Sequence, residues 1–412
     1  RKLEPFRLDL GDVGRVRPRV VAALIVYVVA FLGLASCRGP QTRLTGYNHV
    51  TPRNWLSLDG LNDQFYRFAP RKEISGKVVT LLVPPPGPEE QRNSYRHGLA
   101  VLVGRLAAAN ALGVALDVYF EGESQSDALL DQSIVAAETD PSFRVFIAMR
   151  TAPGPLPTAL PAPLTLVTSE VREGGTGHLG LKHHSHAIVF KEANGTTKSL
   201  PLGADGAVPY PALALRVAEH LRGQGQVALP PDDFLYFVPP VEAVELDFSD
   251  LGPVLRRERP PTRQEQQRLD QLSSGGPVHQ RFVLIGTKAP YDLWDTPFSK
   301  TPVPGVRLHA QAAEALLAGH WIVRASWLAC AAGLFFACAG IVLLLSREDG
   351  PGPLGTGAWT AAYLLLVPLV AIALMHLSGT WFDVSYTLVG TVVFYGLAVL
   401  ARRLATTAKA SG

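Results

Sequence analysis

A chain of 412 residues that is 47% hydrophobic and carries a formal charge of only +3 has length for two or three domains and ample apolar content for a core. Residues 37–321 hold 27 Lys and Arg against 29 Asp and Glu, so the basic excess lies in the flanks and no nucleic-acid-binding surface is implied. Three cysteines, Cys37, Cys330 and Cys338, exclude a disulfide-built scaffold; the last two, about 12 Å apart along one helix, cannot bridge.

Residues 1–19 contain six basic side chains, Arg1, Lys2, Arg7, Arg15, Arg17 and Arg19, and read as a cytoplasmic segment. Residues 20–36 are uncharged and long enough for a short membrane span. Leu34-Ala35-Ser36-Cys37 also fits the site at which bacterial lipoprotein signals are cleaved and the cysteine lipidated; a retained helix is the adopted reading. From Thr51 the composition becomes globular, and residues 37–321 read as one outer domain. Lys77 to Val83 reads as a strand, stopped by Pro84-Pro85-Pro86-Gly87. Tyr95 to Leu112 is helical, with Leu99, Leu102, Val103, Leu106 and Asn110 on one face. A strand over Gly113–Phe120, a helix over Ser126–Ala137 and a strand over Phe143–Met149 follow. This alternation implies right-handed crossovers and parallel strand pairs.

A Pro-rich connector, Ala152 to Pro163, interrupts the rhythm. Asn194-Gly195, between β-favouring runs, predicts a tight hairpin. A helix over Tyr210–Leu221 and a short strand over Asp233–Pro239 come next. Arg256 to Leu272 is charged and Gln-rich, and reads as an exposed helical excursion or mobile loop. Phe282 opens an apolar run ending in Gly286, the pattern of a short buried strand. A turn region with Asp292, Asp295, Thr296, Pro297, Pro302 and Pro304 leads to Gly305. There a helix begins, with Val306, Ala310, Ala313 and Leu317 at helical spacing and Gly319 as its stop.

Three apolar helices are expected to close the chain, over 326–345, 359–377 and 382–401. Arg347 lies in the loop after the first of these, none of Ser378–Trp381 is basic, and the 402–412 tail holds Arg402, Arg403 and Lys409. Basic residues mark cytoplasmic ends. The expected fold is therefore an α/β extracytoplasmic sensory-type domain with a mixed sheet plus four transmembrane α-helices, one N-terminal and three C-terminal, with both termini in the cytoplasm.

The run Ile285-Gly286, Asp292-Leu293, Thr296-Pro297, Pro304-Gly305-Val306, His309-Ala310 and Leu316-Leu317 resembles the C-terminal signature of the CHASE type-two domain, an extracellular sensory module associated with bacterial cyclases and histidine kinases. Arg92 to Leu106 resembles that family's Arg-led first helix, and Asp117, Phe120 and Asp127 fall on its second segment. The resemblance covers most of residues 55–319. It implies a sensory, receptor-like role and marks Arg92, Asp117, Gly286, Asp292, Thr296, Pro297, Gly305 and His309 as signature positions with a structural part to play. Where the family has an acidic turn followed by a basic residue, this chain instead has a histidine-rich segment.

That segment holds His178, His183, His184 and His186. Imidazoles so placed could ligate zinc, copper or nickel, and in a strand His184 and His186 would share one face. No Cys, Asp or Glu stands nearby to complete a set, so a polar loop beside a hairpin is the preferred reading and neither metal nor cofactor is expected. An Asp292–His309 pair could serve acid–base chemistry, but no nucleophile motif accompanies it; an architectural turn is preferred and no enzyme is expected. Asp117, Glu121, Glu123, Asp127 and Asp131 fit no calcium loop and read as a solvated face. Ala329, Gly333, Ala337 and Gly340 form a small-residue seam suited to close helix packing, within the bundle with Gly390 and Gly396 or against another chain.

The expectation is a multi-pass protein of the bacterial inner membrane with a periplasmic domain. Its partners would be the lipid bilayer and a second copy or other membrane or periplasmic proteins, and no nucleic acid. Only eleven residues follow Ala401, which keeps open a structural or adaptor subunit of a larger membrane complex as the alternative to a sensor.

Overall fold

The computed structural model describes residues 64–70, 74–85, 91–118, 120, 124–149, 184–186, 190–191, 197–202, 211–223, 227–230, 234–236, 244–255, 258–325, 327–346, 352–382 and 384–410. The expected first span, Cys37, the Pro-rich connector, His178, His183 and the Asn194-Gly195 turn lie outside these residues. Two compact units emerge, one over 67–323 and one comprising 64–66 with 324–410 among the described residues.

In the first unit β1 (Val78–Val83) is buried along its whole length. The helix α1 (Arg92–Ala108) follows, with Leu99, Leu102, Val103 and Leu106 buried on the expected face. Asn110, expected to end that stripe, instead turns off the helix with φ 57°. Its amide bonds the Ala107 carbonyl, and Asn tolerates this left-handed conformation better than most residues. Next come β2 (Gly113–Leu116), α2 (Asp127–Ala137), β3 (Arg144–Met149) and β4 (His184–His186). A small antiparallel sheet joins β5 (Phe190–Lys191), β6 (Thr197–Pro201) and β7 (Phe234–Tyr236), with α3 (Leu213–Arg222) between the last two in sequence. Then β8 (Val244–Asp247), α4 (Gly252–Leu255), α5 (Arg263–Leu269), β9 (Phe282–Thr287), a ribbon of β10 (Leu293–Trp294) and β11 (Val303–Pro304), and α6 (Gly305–Ala318) complete the unit.

The main sheet runs β4-β3-β2-β9-β1-β8, and every pairing in it is parallel. The mixed character of the fold thus resides in two sheets of different kind, not in one. Central strands of a parallel sheet are buried on both faces and need continuous apolar runs. FVLIGT meets that demand, so β9, late in sequence, takes a place between β1 and β2. One face is covered by α1 and α2, whose apolar residues pack on Val79, Leu81, Val114, Leu116, Val283 and Ile285. The other is covered by α3 and α6, packed on Val78, Leu82, Ala115, Phe146, Phe282 and Leu284.

Strand β8 has no counterpart in the expected elements. Its sequence VELD is no apolar run, and only Leu246 is buried; pairing with β1 at the sheet edge makes it a strand. The expected excursion near 256–272 is also better anchored than its composition implies. A reciprocal capping box between Thr262 and Glu265 starts α5, Leu269 and Leu272 are buried, and Arg268 pairs with Asp250 at 2.7 Å. The capping pattern is legible in the sequence; the buried leucines are what fasten it. Glu314, buried on α6, accepts from the Ser75 amide and hydroxyl, each at 2.7 Å, and from the Val78 amide at 2.8 Å. It satisfies the backbone where β1 enters the sheet.

The second unit contains α7 (Trp327–Ser346), α8 (Gly352–Ser378) and α9 (Val384–Ala410). Two stretches, Leu354–Ser378 and Thr387–Leu404, are long and apolar enough to cross a membrane, and Ala332–Leu344 is a shorter apolar stretch. Helix α8 begins ahead of the expected 359, at Gly352-Pro353, because proline is tolerated in a first turn where no amide partner is needed. Helix α9 continues past 401 through Arg402 and Arg403, since charge does not interrupt backbone bonding. The small-residue seam is used inside this bundle. A Cβ on Gly340 would come 2.4 Å from the Trp359 ring, one on Gly333 3.6 Å from Thr387, and Ala337 is buried. The Gly333 carbonyl also accepts from the Tyr363 hydroxyl at 2.6 Å. Gly396 is not the partner expected: it is exposed and would meet nothing within 4 Å.

Candidate switch-point site

Adjacent parallel strands whose following helices leave to opposite faces open a crevice at their carboxyl ends. Here β2 leads to α2 on one face and β9 leads to α6 on the other, with the two strands hydrogen-bonded side by side. The ladder extends one step further, the Asp117 amide donating to the Ile285 carbonyl at 2.8 Å. Asp117 therefore stands at the lip of β2, beside the end of β9.

Asp292 reaches the same place from the other side. The residue before α6 is Pro304, which offers no capping side chain, so the first amides of the helix need an acceptor from elsewhere. The β10–β11 ribbon pairs Leu293 with Pro304 and thereby sets Asp292 diagonally opposite Gly305. Its carboxylate accepts from the Gly305 amide and from Trp294 Nε1 at 3.2 Å. A Cβ on Gly305 would lie 2.3 Å from Asp292 Oδ1, so only glycine lets the carboxylate come this close. Gly286 has a parallel reason: a Cβ there would lie 2.4 Å from Val306 Cβ, where β9 and the start of α6 touch.

Burial raises both carboxyls. Asp292 is pushed up to about 6, the bonds from Trp294 and Gly305 opposing the rise. Asp117 is held well above the ordinary carboxylate range, by burial first and by the charge of Asp292 second. Two carboxyls so arranged resist ionising together and titrate as a pair. Chemically, the pair can hold a shared proton, or favour a cation over a second negative charge.

The other signature positions lie on α1, on α6 and in the turn between β10 and β11. Arg92 opens α1. Thr296 is buried, the Pro297 carbonyl accepts from Arg67 Nε at 2.8 Å, and His309 is buried on α6. The Tyr95 phenol, on the first turns of α1, is buried and resists ionisation through burial and the nearby Tyr291. Asp127 and Asp131, expected on a solvated face, are buried instead. Asp127 forms an ion pair with Arg96, itself buried, and accepts from the Ser124 amide at 2.8 Å. The Arg96 guanidinium also lies over the Phe120 ring, 5.4 Å from its centroid. An arginine in the first turns of α1 draws the acid inward, because a buried charge is stable only when paired. The sequence placed Asp117 with this acidic cluster and Asp292 with His309; the structure couples Asp117 to Asp292. The available signal was topological: each acid follows a central apolar strand.

Among the described residues no group of three or more His, Cys, Asp and Glu side chains is placed to hold a metal ion. Of the histidine-rich segment, His184 and His186 lie in β4, paired with Ile147 and Met149 of β3.

In comparisons with known proteins, the family model described as CHASE2 domain matches residues 61–345. No curated protein and no solved structure matches the chain.

Proposed function

Because the chain belongs to the CHASE2 domain family, we propose that it is a sensory, receptor-like membrane protein whose outer α/β domain is read at the β2–β9 crevice. The carrying observation is the family match itself, which runs from residue 61 to residue 345 and so takes in the sensory domain and the apolar helix α7. Asp292 supports the assignment of the crevice. The carboxylate that faces Asp117 is also the acceptor for the first turn of α6, and α6 is the last domain helix before α7 in sequence. A change in the charge of the pair would therefore act on the start of that helix.

The finer reading is a four-span inner-membrane protein. Residues 20–36 form the first span, α7, α8 and α9 form the rest, both ends are cytoplasmic, and the domain is periplasmic. Six basic residues before residue 20 and Arg347, Arg402, Arg403 and Lys409 support that orientation. No catalysis is assigned to it. Its partner would be a second copy or another membrane protein, meeting outward apolar side chains such as Leu365, Leu366 and Leu369 of α8 in place of the occupied seam.

Reporter fusions after Gly352 and after Ser378 test the membrane part. The first is expected to be active only on the cytoplasmic side and the second only on the outer side. Activity of both on one side would overturn the topology and, with it, the route from domain to membrane.

A further inference from the structure

A second concavity lies at the opposite, amino-terminal end of the strands. It is a cleft of about 330 Å³ between the start of β3 and the last turns of α3, at the small end of ligand-pocket sizes. Its walls are held firmly. His220 Nε2 sits 2.9 Å from the Leu112 carbonyl and 3.0 Å from the Ser142 carbonyl. A ring nitrogen between two acceptors must carry the proton, so His220 is committed to clamping α3 against the loops entering β2 and β3. Phe146 is stacked on Phe282 with ring centroids 5.8 Å apart and meets His220 edge-on. Glu138 Oε1 accepts from the Val145 amide at 3.0 Å, which fixes that carboxylate beside the cleft.

The charged groups are less fully engaged. Arg216 Nε is buried and finds no acceptor among the described residues, and its Nη1 is 3.9 Å from Glu219 Oε2, too long for a hydrogen bond. Arg144 donates Nη1 to the Phe143 carbonyl at 2.9 Å, one donor of the five in its fork. Two guanidiniums facing one cleft suit a carboxylate, which they can bind through paired N–H donors. Yet Glu138 and Glu219 also line it, so the lining is charge-balanced and a plain anion gains little. Glu219 and the C-terminal turn of α3, with its partial negative charge, suit an ammonium group.

We propose that this cleft binds a small zwitterionic amino acid with an apolar side chain. The carboxylate lies on Arg216 and Arg144, the ammonium lies toward Glu219 and the end of α3, and the side chain lies over Phe146. The bland alternative is that Arg216 and Glu219 merely neutralise each other across a water-filled dent, and the two readings differ in what they bind. The proposal rests on the cleft alone and stands apart from the sensory reading.

Isothermal titration of the purified full chain in detergent tests it, with L-leucine and L-phenylalanine as probes, 4-methylpentanoate as a carboxylate without the ammonium, and isopentylamine as an ammonium without the carboxylate. At least one of the two amino acids is expected to bind saturably, and both single-charge analogues to bind roughly tenfold or more weaker, the effect of losing one charge-assisted contact. Arg216→Ala is expected to weaken amino-acid binding by a similar factor, and Glu219→Gln to weaken it without affecting 4-methylpentanoate. Should Arg216→Ala unfold the protein, Arg216→Lys, which keeps the charge and loses the fork, carries the same comparison. Binding of neither amino acid, equal binding of an amino acid and its single-charge analogue, or an unchanged affinity in the Arg216 variant overturns the proposal.

Discussion

Replacing Asp117 with Asn should make this protein more stable at neutral pH, the reverse of what most substitutions at a half-buried polar position do. Asp292 is pushed up to about 6, roughly two pH units above an ordinary carboxyl, and each unit corresponds to about 1.4 kcal/mol between protonation states. A carboxyl raised on folding binds its proton more tightly in the folded chain. Its contribution is therefore fully present below the ordinary carboxylate range, declines as pH rises through about 4 to about 6, and is gone above that. The two-unit displacement of Asp292 sets the scale for one such carboxyl, about 3 kcal/mol at most and about 1–2 kcal/mol once solvent screening of a partly exposed group is allowed for. Asp117→Asn removes a second buried carboxyl of this kind, one whose ionisation is opposed by burial first and by the charge of Asp292 second. Urea unfolding of the full chain in detergent, followed by tryptophan fluorescence, should show the variant about 1–2 kcal/mol more stable near pH 7.5 and equal to the parent near pH 4. Trp294, bonded to Asp292, is a local reporter of the same titration. A variant less stable near pH 7.5, or a difference that does not change with pH, would refute the coupling of the two acids.

Asp292→Ala, by contrast, leaves the Gly305 amide and Trp294 Nε1 without their acceptor and should destabilise the domain by roughly 1–3 kcal/mol in the same unfolding assay. Glu314→Ala strips three donors at the start of β1 of their partner; a loss of about 3–5 kcal/mol is expected, with Glu314→Gln intermediate because its amide nitrogen would face a donor. Gly286→Ala must displace Val306 and should lower stability by about 1–3 kcal/mol or more, measurable as a fall in the urea midpoint. Gly340→Leu should disrupt the α7–α8 contact at Trp359, lowering the thermal midpoint of the detergent-solubilised chain; an unchanged midpoint would mean that the seam faces outward.

What the amino-acid order determined here is mostly local and periodic. Apolar runs such as Val78–Val83 and Phe282–Thr287 declare buried strands, the spacing of Leu99, Leu102, Val103 and Leu106 declares a helix face, and the Thr262–Glu265 box declares a helix start. The signature residues from Ile285 to Leu317 identified the family without any coordinates. Tertiary structure decided what depends on partners distant in the chain. Edge pairing with β1 turned VELD into a strand, because its own side chains do not demand one. Arg96 drew Asp127 into the interior, since a charge is buried or solvated according to whether a partner meets it there. Trp359 and Thr387 took up the small-residue seam that the sequence left open to two uses. The pairing of Asp117 with Asp292 belongs to the same class. The insertion of β9 between β1 and β2 brings an acid from the first third of the chain to one from the last, and no periodicity within either segment encodes which strand will lie beside which.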